Sequence, residues 1–171
     1  MKQVIAISFL LAAMSQFVRG QEKKTPEDIP TVAYCDLVRE PASYDQKIVR
    51  VKVTYVVGFE ASIMYDLTCS RKDTWVRFES VSETATNRSV LQKFRRLSDA
   101  TPERTRDGGI NYPTRRVEVV WLGRFEGVKP AQKIGEQTFS LGFGHQNYYD
   151  YQFNVQRIEK VNPISKDVPW Q

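Results

Sequence analysis

Lys47-Ile48-Val49-Arg50-Val51-Lys52-Val53-Thr54-Tyr55-Val56-Val57 is the stretch on which the fold turns. Val49, Val51, Val53, Tyr55 and Val57 fall on one face and Arg50, Lys52 and Thr54 on the other, the period-two signature of a strand with one side buried. Downstream, Gly58 marks a turn, residues 59–68 read as a second strand, and Trp75-Val76-Arg77-Phe78-Glu79 as a shorter third, with turn residues Ser70-Arg71-Lys72-Asp73 between them. The period then changes. Val90, Leu91, Phe94 and Leu97 line one face of a helix that Thr86 or Asn87 can cap and that ends near Ser98. Residues 101–113, with two prolines and Gly108-Gly109, read as a long loop.

Residues 115–125 are again strand-like, and Val117, Val119, Val120, Trp121 and Leu122 make both faces apolar, which places the strand centrally. Residues 139–144, 148–155 and 158–161 form a last, aromatic β stretch that Gly142 and Gly144 allow to bend. Upstream of the first strand, Val32, Tyr34, Cys35, Leu37 and Val38 suggest a helix of one to two turns. Thr31 would cap it, Pro41 would stop it, and it would lie across one mouth of the domain. The order helix-β-β-β-α-β-β predicts a mainly β domain over residues 31–162. It is the order of an OB-like five-stranded Greek-key barrel, with a helix between strands 3 and 4 and a short leading helix. A seven-strand sandwich has no natural place for the helix over 90–97. Residues 163–171 read as a tail.

The first twenty residues stand apart from the domain. Lys2, an apolar run over residues 4–14 and Val18-Arg19-Gly20 before Gln21 have the layout of a secretory signal peptide. The run is far shorter than the roughly 20 residues a spanning helix needs, and no later segment is more apolar, so no transmembrane segment is expected. Leu11-Ala12-Ala13-Met14 resembles a lipoprotein cleavage box with Met in place of the acylated Cys, so no lipid anchor is expected. Residues 21–30, with Pro26 and Pro30, read as a polar tether. The expectation is an exported protein, periplasmic or extracellular.

In an oxidising compartment Cys35 and Cys69 are expected to pair, closing a loop worth about 4 kcal/mol in the chain-entropy treatment. Two buried free thiols are the competing reading. One His and two Cys, with no Cys-x-x-Cys or His-Glu-x-x-His, offer no zinc, haem or iron–sulfur pattern, and no cofactor or metal is expected.

Several strings look familiar together: Cys35-Asp36-Leu37; Pro41-x-x-Tyr44-Asp45-x-Lys47-x-Val49-Arg50-Val51; Phe59-Glu60 and Cys69; and Gly142-Phe143-Gly144-His145 ahead of Tyr151-Gln152. They resemble a group of uncharacterised exported bacterial proteins of OB-like outline, over residues 35–161. The resemblance implies fold and export and carries no activity. Gln46 stands where the turn before the first strand usually has Gly; the turn forms without cost only if neither Asp45 nor Gln46 needs a positive φ.

The net charge of +5 falls to +3 once Lys2 and Arg19 leave with the leader, and it is unevenly spread. Residues 88–116 hold eight cations, among them Arg88, Arg95, Arg96, Arg115 and Arg116, against Asp99, Glu103 and Asp107. Converging on one side, these arginines would suit phosphate or sulfate; scattered, they are a solvated surface. The aromatics of residues 139–153 permit base stacking, with Tyr149 as candidate, or are core. His145, the single imidazole, is a candidate base if Asp150 or Tyr148 serves it, and otherwise holds its loop. Glu60 and Asp66 are a weak carboxylate pair on one strand face, and no nucleophile motif accompanies them. The sequence therefore predicts a non-catalytic module that binds an unidentified envelope or extracellular partner. The alternatives are a polyanion binder of single-stranded nucleic acid or acidic glycan through an Arg-rich face, and a hydrolytic enzyme.

Overall fold

The computed structural model describes residues 26–69, 72–78, 86–127, 132–139 and 142–164. The expected leader, the first half of the tether, the turn at Ser70-Arg71 and nearly all of the tail lie outside the described residues. In chain order the principal elements are α1 (Tyr34–Arg39), α2 (Pro41–Tyr44), β1 (Ile48–Gly58), β2 (Ala61–Tyr65), β3 (Thr74–Phe78), α3 (Arg88–Leu97), β4 (Arg115–Glu126) and β5 (Tyr151–Pro163), with a small antiparallel pairing of Gln132–Ile134 and Gln137–Phe139 between β4 and β5.

β1 lies antiparallel between β2 and β4, with Thr54 opposite Tyr65 on one side and Ile48 opposite Arg124 on the other. β2 pairs with β3 through Ile63–Trp75 and Met64–Thr74. β5 runs parallel to β3, starting from Tyr151 opposite Thr74, and antiparallel to β4. The ring β1-β2-β3-β5-β4 closes on β1, giving the five-stranded Greek-key barrel of the OB class, with α3 between the third and fourth strands.

The alternation read in the sequence fills this barrel. Val49, Val51, Val53 and Tyr55 of β1 point inward and are buried, as are Val117, Val119, Trp121 and Phe125 of β4. On β5 the buried apolar set is Tyr151, Phe153, Val155, Ile158 and Val161, and its spacing widens from two to three where the register to β4 slips at Val155/Arg157 and Ile158/Lys160. Each slip inserts a residue, bends the strand and keeps an apolar side chain facing in. Opposite Val155, β4 carries Gly123, where a Cβ would come within 2.5 Å of the Phe153 ring and 2.3 Å of the Asn154 carbonyl oxygen.

The two ends are closed differently. At one, Phe94 of α3 packs its ring against Tyr55, Phe78 and Trp121, while Asn87 caps the helix by accepting from the Ser89 amide at 2.9 Å. At the other, Tyr34 and Leu37 of α1 are buried, and the Tyr34 hydroxyl reaches the Met64 and Lys72 carbonyls and lies 2.9 Å from Thr74 Oγ1. Burial pushes that phenol above its ordinary pKa. The Cys35–Cys69 disulfide, Cα–Cα 5.3 Å, ties α1 to the segment that follows β2.

Several expectations need correction. Thr31 does not cap α1: Thr31–Val32 forms a two-residue strand parallel to β1, and the helix starts after Ala33 with no side-chain cap. α1 does stop before Pro41, which then opens a second short helix, its ring suited to the first helical position. The end of the stretch read as tether is held to β1, since Arg50 donates from its guanidinium to the Ile29 carbonyl and from its amide to the Pro30 carbonyl. Gln46 does adopt a positive φ of 60°, so the turn into β1 stands at the roughly 1–2 kcal/mol that a left-handed non-glycine residue costs. The second strand is shorter than expected at both ends, since Phe59 and Glu60 make the turn, with Glu60 at φ 53°, and Asp66 turns the chain onto Thr68. The long loop contains a small pairing of Glu103–Arg104 with Ile110–Asn111.

Candidate ligand-binding face

The five arginines do not make one face. Arg88 and Arg96 stand at opposite ends of α3, about 12 Å apart along its axis at 1.5 Å per residue, and both are exposed with Arg95. Arg115 and Arg116 are consecutive on β4 and so point to opposite sides of the sheet. Arg96 and Arg115 meet across a groove of about 400 Å³ that Asp99, Thr101 and Glu103 also line. There Arg115 donates to the Asp99 carbonyl at 3.0 Å and lies 3.9 Å from Glu103. The groove mixes both signs of charge.

The aromatics divide as well. Tyr151 and Phe153 are core, whereas Tyr149 precedes β5, is half-buried, and sets its ring 5.3 Å from that of Trp75. Trp75 alternates on β3 with buried Thr74 and Val76, so it faces out of the barrel beside its partner Ile63 on β2. This outer surface of the second and third strands, with the loops after the first and fourth, is where OB barrels take oligonucleotides and oligosaccharides.

The loop ahead of β5 folds over that surface. Phe143 and Tyr149 bridge each other's backbone at 2.7 and 3.1 Å, closing residues 143–149 into a compact turn. Gly144 sits at φ 71° and ψ −156°, where a Cβ would stand 2.4 Å from the Trp75 ring; only glycine lets the backbone lie against the indole in that conformation. His145 Nε2 lies 3.4 Å from Glu60 Oε2, joining this loop to the β1–β2 turn, with both side chains about half exposed. The partner of His145 is therefore Glu60 rather than Asp150 or Tyr148. Asp66 instead accepts from Thr68 at 2.8 Å, so the weak pair Glu60 and Asp66 serves two separate turns.

Beside this loop the parallel pairing of Tyr151 with Thr74 brings residues 148–150 against residues 72–73. They enclose a pocket of about 240 Å³ lined by Lys72, Asp73, Tyr148, Tyr149, Asp150 and Tyr151. Tyr148 is 83% exposed and stands at 82° to Tyr149 with ring centroids 5.4 Å apart. Lys72 donates to the Tyr151 hydroxyl at 3.3 Å and lies 5.6 Å from the centre of that ring. Burial raises the Asp73 carboxyl above its ordinary pKa, and burial together with the Asp73 charge raises the Tyr149 phenol. Lys72, Asp73 and Trp75 were not singled out from the sequence. The alternation of Trp75 with Thr74 and Val76 was the available signal.

His145 meets a carboxylate at the surface and no nucleophile, and among the described residues no three His, Cys, Asp or Glu side chains stand close enough to hold a metal ion. Compared with known proteins, the chain matches no protein-family model, no curated protein and no solved structure.

Proposed function

We propose that the protein is an exported, non-catalytic binding module whose ligand face is the outer surface of β2 and β3 between the β1–β2 turn and the loop over residues 142–150. The observation that carries this reading is the aromatic run Trp75–Tyr149–Tyr148, standing on the surface that this class of barrel uses for ligands and flanked by charged side chains. Export is supported by the leader-like first twenty residues and by the resemblance to exported bacterial barrels of this outline. The disulfide is compatible with it, and among the described residues no helix is long and apolar enough to cross a membrane.

The test is a screen of immobilised saccharides, peptides and single-stranded oligonucleotides against the protein and its Tyr148→Ala variant. Binding that falls with the tyrosine supports the face. Turnover of any substrate that is lost in His145→Ala overturns the non-catalytic reading. The polyanion reading keeps one favourable observation, the Arg96–Arg115 groove, although Asp99 and Glu103 share it. Removing Arg95, Arg96, Arg115 and Arg116 together should flatten the salt dependence of binding to single-stranded DNA or a sulfated glycan, and an unchanged slope counts against it.

A further inference from the structure

We propose that the pocket between Tyr148, Tyr149, Asp73 and Asp150 binds a small organic cation bearing an alkylated ammonium head. This rests on the binding-face reading above and assigns that face its ligand class. The Tyr148 and Tyr149 rings meet edge to face at 82° and both line the pocket, and the face of an aromatic ring is the negative side of its quadrupole, which attracts a cation. Asp73 and Asp150 line the same pocket, and among the described residues neither has an ion-pair partner. Burial first, and then the Asp73 charge, raises the Tyr149 phenol, which places that carboxylate near the aromatic wall.

The molecule already places one cation against this wall, since the Lys72 ammonium stands over the adjoining Tyr151 ring. Among the described residues Lys72 is the single cation lining the pocket, against two carboxylates, and that balance favours a positive ligand over a phosphate or sulfate. A volume of about 240 Å³ is sufficient for a substituted ammonium head and too small for a folded protein surface.

The experiment is a ¹H–¹⁵N NMR titration of the full chain with tetramethylammonium, and with neopentyl alcohol as a neutral, water-soluble compound of similar size and branching. Saturable shifts of the Tyr148, Tyr149 and Asp150 amides are expected with the cation and not with the alcohol. Tyr148→Ala, at a position too exposed to threaten folding, should weaken binding about two- to fivefold. Lys72→Ala, which removes a like charge, should tighten it. Equal shifts with the alcohol, or weaker cation binding in Lys72→Ala, overturn the proposal. Absence of shifts with both probes also overturns it, while a Tyr148-dependent ligand from the screen above would leave the binding face standing; no such ligand would remove both.

Discussion

On the outside of β1, β4 and β5, charge answers charge. Arg50 forks onto Glu159 at 2.6 and 3.1 Å, and Lys52 meets Glu118 at 2.7 Å, which also accepts from Asn162 at 2.9 Å. Further along, Glu126 accepts from Gln152 at 3.1 Å and from the fully buried Asn154 at 2.7 Å. On the outside of β2 and β3, rings pack on one another and two carboxylates line a pocket with no ion-pair contact among the described residues. Both surfaces sit on the same closed barrel. Cross-strand pairs that satisfy one another fix register and leave little for a ligand to gain, whereas exposed rings and unmatched carboxylates hold interaction free energy that only a partner releases.

The comparison can be broken in several ways. Reducing the Cys35–Cys69 bridge, or replacing both cysteines by Ser, should have the largest effect. A loop of 34 residues' separation predicts a loss of about 4 kcal/mol, read from denaturant midpoints with and without reductant. The aromatic side should loosen first in hydrogen exchange, because Cys69 follows β2; identical midpoints would mean that the barrel alone holds both sides. Gly144→Ala should cost about 3 kcal/mol at most, since it puts a side chain into a glycine-only conformation against the Trp75 ring. Its signature is a change in near-ultraviolet circular dichroism from Trp75 with the core of β1 and β4 intact in hydrogen exchange.

On the opposite surface, Glu159→Gln should cost about 1–2 kcal/mol, because the Arg50 pair is bidentate and four-fifths buried on both sides. It should leave the Trp75 signal unchanged, and a shift there would show the two surfaces to be coupled. The smallest effect concerns Glu118, whose carboxyl Lys52 and then Asn162 hold below its ordinary value. Its stabilising share is complete above about pH 4.5 and is lost as pH falls through the lowered folded value, so Glu118→Gln should flatten the acid side of the stability curve by under about 1 kcal/mol.

The strands and α3 were legible because their periods report which side is buried: β1, β4 and the Val90–Leu97 face follow from apolar spacing alone. The start of α1 was not, since Thr31 has the chemistry of a cap but its backbone is taken by β1. The arginine-rich stretch was legible as charge and not as a surface, because a helix spreads consecutive side chains around its axis and a strand sends Arg115 and Arg116 apart. The aromatic pocket was hidden for a different reason. Its walls come from residues 72–75 and 148–150, and only the parallel register of β3 with β5 joins them. Glu60 was seen as half of a carboxylate pair, whereas its partner, His145, is set by a loop far along the chain.

The closure of the ring has a consequence for how the chain reaches this state. β5 is the last strand in sequence, yet it supplies the bonds to both β3 and β4, and its partner residues Thr74 and Tyr151 are 77 positions apart. Such distant pairing makes folding slow, and until it happens β3 and β4 each present an open edge able to recruit another chain. The Cys35–Cys69 bridge lies wholly within the earlier part, so it can organise the β1-β2-β3 meander before that final strand docks. A chain cut short before Tyr151 would keep the bridge and lose the seal, and its fate would be self-association through those two edges rather than a smaller soluble barrel.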